Sequence, residues 1–166
     1  MLAVSLMQPW ATLVVLGLKT NETRAWLIHQ RGALAIHASK RTSRKVRELC
    51  TADEHISAAL AAYGLSYDTL PRGGVIGLTQ LRSMSRILAP GAPAGAPLAN
   101  VLNLDPSTLT AQERAFGDYA PGRFAWGLEH AQALPELLGC AGQQRIWTLP
   151  DIIRDQVYAG LALAAR

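Results

Sequence analysis

The first forty residues begin with a short apolar run and a set of helix signals. The run Leu2–Leu6 is mostly apolar and ends at a polar break, which is typical of a strand. Pro9 suits the first position of a helix, and apolar side chains recur at helical spacing over residues 10–14. Gly17 stands where a left-handed C-terminal cap would fall. The opening therefore predicts a strand followed by a short helix.

Two more strands and a long helix are expected next. The segment Lys19–Trp26 is rich in Thr and alternates in character, which favours a strand. Small and large residues alternate along Gly32–Ala38, which favours another. Thr42 or Ser43 supplies an N-cap, and the apolar spacing that follows predicts one helix over about residues 43–62.

The second half of the chain predicts three strands and two helices around a long loop. The strands are Val75–Leu81, Arg123–Leu134 and Gln144–Leu149. Residues 89–99 are Pro, Gly, Ala and Leu without a period, which predicts a loop. Thr110 and Glu113 have the spacing of a capping box for a short helix, and Pro150 begins a C-terminal helix. Strands outnumber helices at irregular separations, so we expect an α+β fold with a mixed sheet or small barrel and flanking helices.

Composition narrows the class of protein without naming a function. At 166 residues, with 49% hydrophobic and 17% charged positions, residues 1–166 suit one domain with its own core. No apolar run approaches the roughly 18–20 residues of a membrane span, so neither a membrane partner nor a signal peptide is expected. Cys50 and Cys140 lack zinc or redox spacing, which predicts buried, reduced thiols in a cytoplasm. The four histidines show no ligand spacing, so no metal and no cofactor are expected.

Charge is unevenly distributed along the chain. Residues 1–50 hold eight cations and two anions, whereas residues 51–166 hold eight cations and ten anions. Positive charge concentrated in the first third indicates one basic face suited to a phosphate-rich partner, RNA or DNA. A solvated surface without a partner is the alternative.

The segment after Gly17 could bring three charges together. In an extended strand, Glu22 and Arg24 project from one face, and Lys19 lies in the preceding turn. The three charges would then meet at one cleft. The alternative is an exposed strand with a surface ion pair worth no more than about 1 kcal/mol.

The wider pattern resembles the activating signal cointegrator homology (ASCH) domain family. The matching segments are Ser5-Leu-Met-Gln8-Pro9-Trp10-Ala11, the signature Gly17-x-Lys19-x-x-Glu22-x-Arg24-x-Trp26, Arg31-Gly32, Ile36-His-Ala38-Ser-Lys40 and Gly142-Gln-Gln-Arg145-Ile-Trp147-Thr-Leu149. The first forty residues are most similar to the ASCH domain of the eukaryotic transcription coactivator that names the family. The resemblance implies a PUA-like mixed β-barrel with flanking helices, a cleft lined by the signature residues, and a nucleic-acid partner.

An enzyme is the main alternative to a binding domain. Some small ASCH proteins are amidohydrolases acting on N4-acetylcytidine, and they pair the signature Lys with a Thr where this chain has Glu22. A nearby carboxylate raises the pKa of a lysine, so we expect Glu22 to oppose Lys19 as a general base. Glu22 could itself activate water, which would make the protein a hydrolase on modified nucleosides or a nuclease. A protein-interaction module, with a protein partner, is a third possibility.

The candidate binding residues form two groups. Around the trio of Lys19, Glu22 and Arg24, the sequence places Ser5, Gln8, Trp10, Trp26 and Lys40. The second group is the basic stretch Lys40, Arg41, Arg44 and Lys45 at the start of the long helix. Cations in a first helical turn oppose the macrodipole, so an anion such as phosphate would explain them, whereas a solvated basic face is the alternative. Trp10 and Trp26 could stack on bases, whereas Trp126 and Trp147 are expected to pack in the core.

Overall fold

A computed structural model describes residues 1–93, 95–96 and 98–164 as an α+β domain. The strands are β1 (Leu2–Leu6), β2 (Asn21–Arg24), β3 (Gly32–Ala38), β4 (Gly74–Ile87), β5 (Leu102–Leu104), β6 (Phe124–Gly139) and β7 (Ile146–Thr148). The helices are α1 (Trp10–Val15), α2 (Arg44–Ala52), α3 (Glu54–Ala61), α4 (Ala111–Ala115) and α5 (Asp151–Ala164), with a 3-10 turn at Pro106–Thr108.

The seven strands form one mixed sheet that curls into a half-barrel. Their order is β2-β6-β4-β3-β1-β7, and β5 pairs with β4 outside this path. The β1–β3 and β4–β5 pairs are parallel, and the other pairs are antiparallel. Three register shifts interrupt the long β4–β6 ladder, and such bulges bend a sheet. The curvature brings β2 and the ends of β1 and β3 toward one another around a concave face.

The period-2 pattern of the inner strands divides the core between the two faces of the sheet. On β3, Leu34 and Ile36 join the main core with Trp126 and α1, whereas the intervening Ala35 joins a second cluster beneath α5. A third cluster, which includes Leu13 and Phe116, lies where α1 meets α3 and α4. The concave face is therefore supported by packed side chains on three sides.

The predicted helix over residues 43–62 is two helices, so that prediction is wrong. Asp53 is extended (φ −82°, ψ 119°), and its carboxylate accepts hydrogen bonds at 3.0 Å from the amides of His55 and Ile56. A side-chain cap of this kind starts a new helix and ends the previous one. The apolar spacing had also predicted that Leu49 and Tyr63 lie on the buried face of one helix, but they are 37% and 50% exposed.

Other elements follow the sequence more closely. β1, β3 and α5 have the predicted positions, and Gly17 has the left-handed φ of +72° expected of a C-terminal cap. β4 and β6 both extend well beyond the predicted Val75–Leu81 and Arg123–Leu134. The added part of β4 pairs with the start of β6 and buries Met84 and Ile87. The added part of β6 is largely exposed and pairs with the start of β4, so the hydrophobic pattern fades there.

Candidate functional site

A basic cleft with a volume of about 1050 Å³ occupies the concave face. Its walls come from β2, the ends of β1 and β3, the segment after α4 and the β6–β7 loop (residues 140–145). Six basic and two acidic side chains line it: Lys19, Arg24, Lys40, Arg41, Arg123 and Arg145, with Glu22 and Asp118. The excess of positive charge gives the cleft a positive electrostatic potential.

The charged trio of the signature meets at one wall of the basic cleft. Glu22 is 8% exposed, and its carboxylate lies 2.9 Å from Arg24 Nε and 3.7 Å from Lys19 Nζ. β2 covers only residues 21–24, so it is shorter than the predicted strand Lys19–Trp26, and Lys19 precedes it. Because the Arg24 side chain is 30% exposed and the Lys19 side chain only 1%, Arg24 faces the solvent side of the cleft and Lys19 lies beneath it.

Lys19 is held by the backbone on both sides of the cleft wall. Its ammonium donates hydrogen bonds to the carbonyls of Asn21 at 2.5 Å and Phe116 at 2.8 Å. Burial lowers the pKa of Lys19 and outweighs the opposing influence of Glu22 and the nearby Glu113. Glu22 raises the pKa of Lys19 as expected, but the burial that outweighs it could not be seen in the sequence.

Glu113, in α4, supports the signature segment although the two lie far apart in the sequence. Its buried carboxylate accepts hydrogen bonds from the amide and hydroxyl of Thr20, at 2.9 and 3.0 Å, and from the amide of Asn21 at 3.0 Å. The Tyr119 hydroxyl donates a fourth at 2.7 Å. Burial and the adjacent carboxylate raise the pKa of Tyr119, which keeps this hydroxyl a donor. No pattern in the sequence indicated this role of Glu113.

Gln8, predicted to bind ligand, lies behind the cleft wall instead of on it. It is fully buried, its amide nitrogen donates to the Pro71 carbonyl at 2.7 Å, and its amide oxygen accepts from the Thr12 amide at 3.1 Å. Both ends of the side chain are therefore engaged in joining α1 to the segment before β4. Ser5, Trp10 and the other predicted members of this group line the cleft.

A second polar cluster, absent from the predicted site, lies where β1 and β3 run side by side. His37 is 2% exposed, pairs in register with Ser5, and its Nε2 lies 3.2 Å from the Cys140 carbonyl. A carbonyl only accepts, so Nε2 carries the proton, and Nδ1 of the neutral ring is an acceptor. Burial lowers the pKa of His37, which keeps the ring neutral. Among the described residues, Nδ1 has no hydrogen-bond partner.

The predicted basic stretch divides between two places. Lys40 and Arg41 line the cleft, whereas Arg44 and Lys45 are exposed on α2 outside it. Arg44 is paired with Glu48 on the same helix at 2.9 Å. Ser43 caps α2 by accepting a hydrogen bond from the Val46 amide at 3.3 Å, which occupies one of the free amides of that N-terminus.

The tryptophans divide as the sequence predicts. Trp126 is fully buried and Trp147 is 6% exposed, which confirms the prediction that both pack in the core. Trp10 and Trp26 are half-buried and line the basic cleft. Arg145, on the β6–β7 loop, lies over the Trp26 ring with its Cζ 5.7 Å from the ring centroid.

Burial sets the state of the cysteines. Both are free, and burial raises the pKa of Cys50 to about 11 and also raises that of Cys140. Cys50 is buried as predicted, whereas Cys140 is only half-buried and lines the cleft. No three His, Cys, Asp or Glu side chains of residues 1–93, 95–96 and 98–164 come together as metal ligands. The helices of these residues are too short or too polar to cross a bilayer.

Comparison with known proteins identifies the fold and the family. The crystal structure of ASCH from Zymomonas mobilis has a TM-score of 0.52 and 14% identity, covering 95% of this chain and 93% of that chain. A mutant of the same protein has a TM-score of 0.51 and 15% identity, covering 95% and 94%. The half-barrel with its helices, together with these neighbours, confirms the predicted PUA-like fold. Curated protein sequences contain no match. A family model of the ASCH domain matches residues 4–102, more than half of the chain, and the protein therefore belongs to the ASCH domain family.

Proposed function

We propose that the protein binds nucleic acid, RNA or DNA, in the basic cleft. The observation that carries this proposal is a set of three cations on the cleft wall: Lys40, Arg41 and Arg145. Among the described residues, no carboxylate lies within 4.0 Å of their charged groups, whereas Arg24 and Arg123 have the partners Glu22 and Asp118. Cations without a protein partner are the groups that neutralise phosphates and release counterions.

The shape of the Lys40 side chain supports an outward role for its charge. A Cβ placed on Gly73 would lie 2.7 Å from Lys40 Cε and 3.0 Å from Cγ, so the stem of Lys40 lies along the backbone of Gly73. The residue is nevertheless exposed, so the ammonium remains in contact with solvent. A fixed stem with a solvated charge suits the contact with a polynucleotide backbone.

The acidic part of the cleft suits base recognition. Each Glu22 oxygen faces one cation, which leaves a further lone pair for an amino or imino hydrogen of a base. Arg24 is positioned by Glu22 and has guanidinium nitrogens left for a phosphate or a base oxygen. Phosphate contacts would then come from one wall and base contacts from the other.

Hydrolysis is less well supported by the same geometry. The Lys19 amino group already donates to two carbonyls, so its hydrogens are engaged by the wall itself. The neighbouring hydroxyls are engaged as well, since Thr20 donates to Glu113 and Thr23 accepts from the Asp118 amide at 3.1 Å. We therefore place binding ahead of catalysis. The free thiols of Cys50 and Cys140 suit a reducing compartment such as the cytoplasm.

The experiment that tests this proposal is fluorescence anisotropy with labelled single-stranded RNA, single-stranded DNA and duplex DNA at several salt concentrations. We expect micromolar or tighter binding and a negative slope of log K against log salt. In Lys40→Ala/Arg41→Ala, the slope should become shallower by up to about 1.4 for a single strand, since each phosphate contact contributes about 0.7.

A matched control separates the cleft from net charge. Arg82→Ala/Arg154→Ala also removes two positive charges, but from outside the cleft. Arg82 pairs there with Glu129, and Arg154 pairs with Asp151. Its salt slope should stay close to that of the wild type. Equal effects of the two double variants, or no binding by the wild type at low salt, would refute the proposal.

A further inference from the structure

The Trp26 ring is fixed in place at the edge of the basic cleft. It meets the fully buried Trp126 edge-on, with ring centroids 4.8 Å apart and an interplanar angle of 76°. The Trp126 indole nitrogen also donates to the Trp26 carbonyl at 3.4 Å. Trp26 packs against the main core cluster, so a ring that lines the cleft is held rigidly from behind. A rigid aromatic ring binds a flat partner with little loss of side-chain entropy.

Arg145 faces this ring from a backbone conformation that side chains rarely adopt. Its φ is +58°, the left-handed region, although it is not a glycine. Backbone strain of this kind persists where the surroundings hold it, and it concentrates at functional sites. Arg145 is exposed, and its Cζ lies 5.7 Å from the Trp26 centroid. No carboxylate among residues 1–93, 95–96 and 98–164 pairs with it, so its planar group is directed by the ring alone.

The Trp26 ring and the Arg145 guanidinium are almost far enough apart to hold a base between them. Stacked bases are roughly 3.4 Å apart, so a ring inserted between Trp26 and Arg145 needs about 6.8 Å between the outer groups. Arg145 Cζ lies 5.7 Å from the Trp26 centroid, so an outward movement of about 1 Å would bring this distance to the required value. Such a movement is within reach of an exposed arginine on a loop.

We propose that Trp26 and Arg145 clamp one unpaired nucleobase between the indole and the guanidinium. The Trp26–Arg145 clamp rests on the proposed nucleic-acid binding and deepens it by naming the substrate class as single-stranded nucleic acid. Bases in a duplex are stacked on both faces and cannot enter such a gap without unpairing, whereas unpaired bases stack readily on aromatic rings and guanidinium planes. The clamp therefore selects single strands over duplexes by a mechanism that is independent of total charge.

The test compares two single strands that carry the same phosphates. One is an oligothymidine, and the other carries abasic sites in place of all its bases. We expect the wild type to bind the strand with bases about tenfold more tightly than the abasic strand. In Arg145→Lys, which keeps the charge but loses the planar group, and in Trp26→Leu, this ratio should fall below about threefold. The salt slope of Arg145→Lys should match that of the wild type.

Two further variants guard against a loss of fold. Arg145→Gly suits the left-handed φ, so it should unfold at or above the temperature of the wild type and still lose the base preference. Tyr158→Leu removes an exposed aromatic ring on α5 outside the cleft, and it should keep the tenfold ratio. A wild type that binds both strands equally would overturn the clamp and leave the proposed function intact. Retention of the preference in Trp26→Leu would also overturn the clamp, as would its loss in Tyr158→Leu. A wild type that binds neither strand at low salt would overturn both proposals.

Discussion

The Glu113 carboxylate accepts hydrogen bonds from both the amide and the hydroxyl of Thr20, although 93 residues separate the two along the chain. The same carboxylate receives the Asn21 amide and the Tyr119 hydroxyl. Four donors around one buried carboxylate leave little freedom for the segment that carries Lys19 into the wall. The position of the signature thus depends on a residue of α4.

Glu113→Ala should lower the free energy of unfolding by about 2–4 kcal/mol. The substitution leaves two part-buried backbone amides without their acceptor and removes the partner of the Thr20 and Tyr119 hydroxyls, which is costly. Urea denaturation measures the change. The control is Glu48→Ala, which removes an exposed carboxylate paired with Arg44 and should change stability by less than about 0.5 kcal/mol. Similar effects of the two substitutions would contradict a supporting role for Glu113.

Lys19 and Arg24 share Glu22 as a partner, yet their loss should have different consequences. Lys19→Ala removes a side chain that is 1% exposed and leaves Glu22 and two carbonyls short of a donor. We expect a loss of about 3–5 kcal/mol. Arg24→Ala removes a side chain that is 30% exposed and leaves Lys19 beside Glu22, so it should cost about 1 kcal/mol.

Denaturation of the two single variants and of the double variant measures this difference. Equal costs for Lys19→Ala and Arg24→Ala would show that Lys19 has no special part in holding the wall. A consequence for binding assays follows, because only Arg24→Ala is expected to leave the fold intact. A decrease in oligonucleotide affinity in Arg24→Ala can then be attributed to the cleft surface itself.

The backbone of Gly142 lies directly against the polar cluster on β1 and β3. A Cβ at this position would lie 2.6 Å from His37 Nδ1 and 2.7 Å from Ser5 Oγ. Gly142→Ala must therefore push the β6–β7 loop away, at a cost of about 1–3 kcal/mol. Because Arg145 lies on the same loop, the preference for strands with bases should fall as well. Thermal unfolding and the abasic comparison measure the two effects.

Gly139→Ala is the matched control for Gly142→Ala. Gly139 is the last residue of β6, and a Cβ there would meet nothing within 4 Å. Its stability should stay within about 0.5 kcal/mol of the wild type, and its base preference should be unchanged. If the Gly142 and Gly139 variants behaved alike, the loop would not be seated on His37 as described.

Local signals explain why much of the fold could be predicted. The alternation of Gly32–Ala38 and the positive φ required at Gly17 are properties of neighbouring residues, and the structure has both. The helix break at Asp53 was missed because its cap lies inside an unbroken apolar spacing. A cap in such a position is visible only once the two helices pack in different directions.

The residues of the candidate site also divide into those that local sequence signals predict and those that only the tertiary structure shows. The signature from Lys19 to Arg24 could be located by its spacing, because all its charges lie within one turn and one strand. Glu113, His37 and Arg145 enter the site through β-pairing and loops that join distant segments. The capping-box pattern correctly predicted the hydrogen bond from the Glu113 amide to the Thr110 hydroxyl. The Glu113 carboxylate, however, points toward Thr20. Which partner a carboxylate chooses is decided by the tertiary structure.

His37 should make the stability of the protein depend on pH below 6.5. Its ordinary pKa is 6.5, and burial lowers the pKa in the folded state. Between the two values the unfolded chain binds more protons than the folded one, so the free energy of unfolding rises with pH in this window and falls on acidification. The ring contacts the backbone carbonyl of Cys140, and the pKa of the Cys140 thiol is raised, so this thiol is neutral in the same window. Urea denaturation from pH 4.5 to 7.5 measures this effect, and the stability of His37→Gln should depend less on pH than that of the wild type. The control is His29→Gln, which changes an exposed histidine and should retain the wild-type pH dependence. Parallel profiles for the wild type and His37→Gln would mean that the buried imidazole does not titrate differently in the folded and unfolded chains.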